Sequence, residues 1–139
     1  MSPFSKYMRT LRCSRGLKQK DIAAQLGYEQ SYISSLENGA KGAPRRAFVD
    51  RLIRKMKLND AEIIELERAL SLSERRFTLA TNASAEEYQL WRKLKTLSGQ
   101  IDPVRVQLIM AVLALPPATL WIDGSAPYQS CGTERRPTM

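Results

Sequence analysis

The sequence predicts an all-α protein: five short helices in about the first 70 residues, a connector, then a C-terminal helical hairpin. Three observations lead there. Apolar residues recur at three- and four-residue spacing, the period of one buried helix face. Glycine, proline and Asn-Gly signals interrupt that period at intervals suited to short helices. No stretch alternates apolar and polar residues over a useful strand length.

Each element has its own justification. Phe4, Tyr7, Met8 and Leu11 form the inward face of a first helix, and Gly16 closes it in a left-handed conformation. A second helix over 19–26 turns Ile22, Ala23 and Leu26 inward and stops at Gly27. A third covers 30–37 and ends at Asn38-Gly39. Pro44 is expected in the first turn of a fourth helix, where its missing N–H is no loss. That helix carries Phe48, Val49, Leu52, Ile53 and Met56 as its stripe. Asn59 or Asp60 caps a fifth, with Ile63, Ile64, Leu66 and Leu70 inward. Residues 71–84 read as a connector. Ser84 and Glu87 have capping-box spacing and open a sixth helix bearing Leu90, Trp91, Leu94 and Leu97. "SGQIDP" breaks it, and a seventh helix over 103–115 is apolar nearly all round. The expected organisation is a first domain at 1–72, a helical interaction segment at 84–116 and a disordered tail at 123–139.

Composition narrows the function classes. Hydrophobic content of 43% and charged content of 26% are ordinary for a globular chain. Histidine is absent, which removes the commonest general base and metal ligand. Cys13 and Cys131 lie far apart and lack metal-ligand spacing, so both read as free thiols. No catalytic residue, metal or cofactor is expected. The N-terminus lacks the apolar core of a signal peptide, and 104–115 is too short and too interrupted to span a bilayer; a cytoplasmic address with no membrane partner is the expectation. The net charge of +8 is unevenly placed: residues 1–60 hold 13 Lys and Arg against 5 Asp and Glu, while 61–100 hold 6 of each and 101–139 hold 3 of each. An excess confined to the first 60 residues suits a polyanion, because neutralising phosphates releases condensed counterions; a solvated basic face is the plainer alternative.

The stretch "LGYEQSYISSLENG" (26–39) decides between them. Only Ile33 and Leu36 mark a buried edge on its helix, and Gln30, Ser31, Tyr32, Ser34 and Ser35 occupy the rest. With the helix before it and the bend at Gly27, this is a helix-turn-helix, whose second helix enters a DNA major groove. Polar side chains there can meet base edges: Gln pairs bidentately with adenine, Ser bonds to several bases, and an aromatic ring can lie on a thymine methyl. "LKQKDIAAQLGYEQSYISSLENG" (17–39), with "LRCSRG" before it and "PRR" after it, resembles the Cro/C1-type helix-turn-helix of phage repressors, the XRE family. The resemblance covers about residues 4 to 70 and implies a five-helix, lambda-repressor-like domain that binds double-stranded DNA and regulates transcription. It implies base contacts from Gln30, Ser31, Tyr32 and Ser35, and phosphate contacts from Lys18, Gln19, Asn38, Lys41, Arg45 and Arg46. It further implies a partly buried Arg12–Glu37 ion pair tying the first helix to the third. Lys18 departs from the family pattern, standing where a Thr or Ser cap is usual, and the loop "NGAKGAPRR" carries small residues at Ala40 and Gly42.

A single domain of this kind covers little DNA, so a homodimer reading two half-sites of a palindromic operator is expected, the protein acting as a repressor. Leu90, Trp91, Leu94, Leu97, Val104, Leu108, Ile109, Val112 and Leu113 are the candidate dimer contacts. Two alternatives stay open. The last helices can complete the core of the first domain, or they can grip a protein partner, as in an antitoxin that controls its own promoter.

Overall fold

Residues 1–117 are described in the computed structural model of the 139-residue chain; the expected tail at 123–139 lies outside them. The chain separates into two units, Met1–Ala80 and Thr81–Met139. Seven α-helices lie among the described residues, with no strand.

In the first unit, α1 (Pro3–Ser14) begins at Ser2, whose hydroxyl accepts from the Ser5 N–H. Phe4, Met8 and Leu11 are buried as their spacing requires, and Ser5, which the apolar pattern passes over, is buried with them. Tyr7 is half-buried and donates its phenol to the Glu62 carbonyl at 2.9 Å. The next two helices, α2 (Gln19–Leu26) and α3 (Gln30–Glu37), have the expected limits.

The fourth helix, α4 (Arg46–Met56), starts later than the sequence suggests. Arg45 is its N-cap, so Pro44 precedes the helix instead of lying in its first turn. Helix α5 (Asp60–Ser71) opens with a full capping box: Asn59 Oδ1 accepts from the Glu62 N–H at 2.9 Å, and Glu62 Oε2 accepts from the Asn59 N–H at 3.0 Å. Ile64, expected inward, is 69% exposed, while Leu66 and Ala69 are buried. Inward positions on α5 are 62, 63, 66, 69 and 70, and a residue at 64 lies off that stripe.

The core joins Phe4, Met8 and Leu11 of α1 to Ile22 and Leu26 of α2, Ile33 and Leu36 of α3, Phe48 and Leu52 of α4, and Leu66 of α5. Burying each large side chain contributes about 1.5–3 kcal/mol. The start of the connector is part of this unit. The Ser73 hydroxyl accepts from the Phe4 N–H at 2.8 Å and donates to the Ala69 carbonyl at 2.6 Å, closing α1 and α5 together.

The second unit holds α6 (Ala85–Leu97) and α7 (Pro103–Leu113), joined across Gly99 with φ +83°. Ser84 accepts from the Glu87 N–H at 3.2 Å, and Asp102 caps α7 through the Arg105 N–H at 2.9 Å. Helix α7 stops at Leu113, two residues short of the expected end. No residue of either helix is buried.

Candidate nucleic-acid interface

Lys18 sets the entry to the helix-turn-helix. Its side chain can only donate, so it cannot cap α2; Asp21 accepts from the Lys18 N–H at 2.9 Å instead. The turn after α2 closes with paired bonds, Gly27 N–H to the Ala24 carbonyl (3.3 Å) and Tyr28 N–H to the Ala23 carbonyl (3.0 Å). Gly27 has φ +71°, the left-handed conformation that this closure demands and that glycine adopts without strain. The bend fixes where α3 leaves α2.

Behind α3 lies the Arg12–Glu37 pair. Arg12 Nε donates to Glu37 Oε1 at 2.6 Å and Nη2 to Oε2 at 3.0 Å, while Nη1 donates to the Leu17 carbonyl at 2.9 Å. Glu37 is only 4% exposed. Its hydrogen bond, ahead of the desolvation that opposes it, raises the Arg12 pKa above the ordinary guanidinium value. Gln19 Nε2 joins the network, donating to Glu37 Oε2 at 3.0 Å. Three elements therefore meet at one buried carboxylate: α1, the start of α2 and the end of α3.

The residues assigned to DNA by sequence fall into different situations. Gln30 and Ser31 are exposed at the start of α3, where Glu29 provides no side-chain cap. Ser35 is half-buried and donates its hydroxyl to the Ser31 carbonyl at 2.7 Å, leaving its oxygen as an acceptor only. Tyr32 is half-buried against the core, its ring stacked on Tyr28 and edge-on to Phe48. Burial, helped by Tyr28, raises its phenol pKa.

In the loop after α3, Asn38 Oδ1 accepts from the Ala40 N–H at 2.9 Å, and the Lys41 N–H returns to the Ser35 carbonyl at 3.1 Å. The Gly39 carbonyl accepts from Arg75 at 2.7 Å, a contact with no local sequence signal. Lys18, Lys41 and Arg45 are exposed. Arg46 is exposed too, but it already serves Asp50 at 3.0 Å and Glu67 at 2.7 Å. An open groove of about 1240 Å³ runs beside these groups, lined by Tyr28, Gln30, Tyr32, Lys41, Arg45 and Phe48 among others. Tyr28 is half-buried against the core, and Arg51 donates to the Leu26 carbonyl at 3.2 Å and lies over the Tyr28 ring.

Among the described residues no group of three or more His, Cys, Asp or Glu is placed to hold a metal ion. No helix there is long and apolar enough to cross a membrane. Five helices around one core, with a glycine bend presenting a polar short helix, define a DNA-binding helix-turn-helix domain. Residues 4–66 match the family described as a helix-turn-helix domain. The N-terminal unit is a helix-turn-helix domain, and the comparisons support a part in DNA-binding transcription regulation. The chain is 24% identical over 104 residues to the uncharacterized HTH-type transcriptional regulator RghRB of Bacillus subtilis (strain 168), covering 75% of each chain. That span is longer than residues 1–80, so the likeness extends into the second unit. No solved structure matches significantly.

Proposed function

We propose that this protein is a sequence-specific repressor that binds a palindromic operator as a homodimer. The observation that carries the reading is the exposure of Gln30 and Ser31 at the start of α3, beside the exposed cations Lys41 and Arg45. Gln30 and Ser31 read base edges, with Ser35 accepting from a base amine. Lys18, Lys41 and Arg45 hold phosphates and supply the salt-sensitive part of the affinity. Arg46 joins them only by exchanging a carboxylate partner for a phosphate. Gln19 acts mainly through Glu37, bracing the start of α2.

The second unit supplies the dimer contact in this reading. Leu90, Leu108, Val112 and Leu113 are 47–68% exposed, and α6 and α7 bury nothing. Helices of 13 and 11 residues are marginal alone, and one that is apolar all round calls for burial on several sides. A second copy would cover these faces and set two recognition helices roughly 34 Å apart, one turn of DNA. The same exposed faces favour a second reading, in which a different protein covers them and the first unit regulates its own promoter.

Selection of binding sites from a random DNA pool tests the central claim. A two-fold symmetric site is expected; absence of any enriched sequence would count against sequence-specific binding. On the selected site, Gln30→Ala should weaken binding by about 1–3 kcal/mol and relax preference at one base pair. Equal loss on selected and scrambled duplexes would remove Gln30 from base reading.

A further inference from the structure

The rings of Tyr28 and Tyr32 stack with centroids 5.1 Å apart and planes 19° from parallel. Phe48 meets both edge-on, at 5.1 and 5.6 Å. A cation lies over each tyrosine: the Arg51 guanidinium 5.5 Å from the Tyr28 centroid, and Lys41 Nζ 4.5 Å from that of Tyr32. Both distances fall within the reach of a cation–π attraction. The two cations come from different places, Arg51 from α4 and Lys41 from the loop after α3. Local hydrogen bonding at Asn38 and the Lys41–Ser35 backbone bond already shape that loop.

We propose that Tyr32 is a positioning residue for DNA binding, its ring holding the Lys41 ammonium beside α3 before DNA arrives. The proposal rests on the reading of Lys41 as a phosphate contact. A free lysine side chain loses much rotamer freedom when a phosphate immobilises it. A lysine already held over a ring has lost part of that freedom in the unbound protein, so less is lost on binding. The ammonium keeps N–H groups for a phosphate, because the ring occupies only one of its sides. Tyr32 thereby acts on the DNA backbone through Lys41. The family resemblance would instead put its ring directly against a thymine methyl or the sugar backbone.

Two measurements on the full chain test this. In the unmutated free protein, ring current should shift the Lys41 ε-protons upfield of those of exposed Lys20 in NMR spectra; coincident shifts would overturn the proposal. Affinity is then measured across a salt series on the selected site and on a scrambled duplex, for Lys41→Ala, Tyr32→Phe, Tyr32→Leu and the Tyr32→Leu/Lys41→Ala double variant, each checked for folding by circular dichroism. Lys41→Ala should reduce the log–log salt slope by about 0.9 on both duplexes. Tyr32→Leu should lower affinity roughly two- to fivefold on both, Tyr32→Phe should restore it, and the double variant should bind no worse than Lys41→Ala alone. An unchanged salt slope in Lys41→Ala would overturn the phosphate reading itself. A normal Lys41→Ala effect combined with additive loss in the double variant, or with loss on the selected site alone, would overturn only the positioning role. Should Tyr32→Leu fail to fold, the NMR shift and full retention of affinity by Tyr32→Phe decide; loss in Tyr32→Phe sinks the proposal.

Discussion

Glu37 is the residue on which the placement of α3 most depends. Its carboxylate is buried and accepts from Arg12 twice and Gln19 once, so removing it strands a guanidinium that is itself only 14% exposed. Glu37→Ala should cost about 3–5 kcal/mol in urea unfolding, a large share of a small domain's stability. The Arg12→Met/Glu37→Leu double variant should recover most of that loss, because no unpaired charge remains. A double variant as unstable as Glu37→Ala would show that the pair contributes more than charge balance. Tyr7 gives a pH-dependent counterpart. Burial, reinforced by the Glu62 and Glu65 carboxylates, pushes its phenol up from 10.0 to about 12. The folded chain then keeps a proton that the unfolded chain has released, so stability is complete below pH 10 and falls as pH rises from 10 towards 12. Tyr7→Phe should be less stable at neutral pH and lose less stability across that window. Parallel declines for the two proteins would exclude Tyr7 as the cause.

Helix ends are where individual elements are under strain or secured. Lys57 terminates α4 with φ +49°, among the described residues the one non-glycine with positive φ. That conformation costs an L-residue about 1–2 kcal/mol. Glycine removes the strain but adds about 0.4–1 kcal/mol of unfolded-state freedom, so strain relief wins narrowly. Lys57→Gly should raise stability by about 0.5–1 kcal/mol, read as a melting temperature a few degrees higher. A lower melting temperature would mean that the lysine contributes contacts outweighing its strain. The third helix has a weak start by comparison, since Glu29 does not cap it. Its order comes from its neighbours: the Schellman closure before it, Arg12 on its Glu37 carboxylate, and the Tyr28 and Phe48 rings against its Tyr32.

For the molecule as a whole, the contrast between the two units governs the expected behaviour. The first has its own core, and the second, as far as it is described, buries no residue. Sedimentation of the purified chain should give a dimer, and Leu108→Asp should shift it to monomer with a large loss of operator affinity. Leu108 is 61% exposed, so in a monomeric protein that change would leave sedimentation untouched. Such a result, or a wild-type monomer, would favour the reading in which another protein covers α6 and α7.

Helix positions were legible in the residues because they depend on neighbours three and four apart. Phe4, Met8 and Leu11, or Ile22 and Leu26, announce a face, and Gly27 announces a bend because few other residues tolerate its φ. The limits of α3 followed from the same local rules, and Gln30 and Ser31 are exposed on it. Partners far apart in sequence were not legible. Nothing near Tyr32 shows that Phe48 will meet its edge; nothing near Arg46 announces Glu67, near Phe4 Ser73, or near Gly39 Arg75. Periodicity says which side of a helix turns inward. Which side chains meet across the gap, and so whether an exposed-looking tyrosine or arginine is already engaged, depends on how separate helices pack, and local spacing carries no record of that.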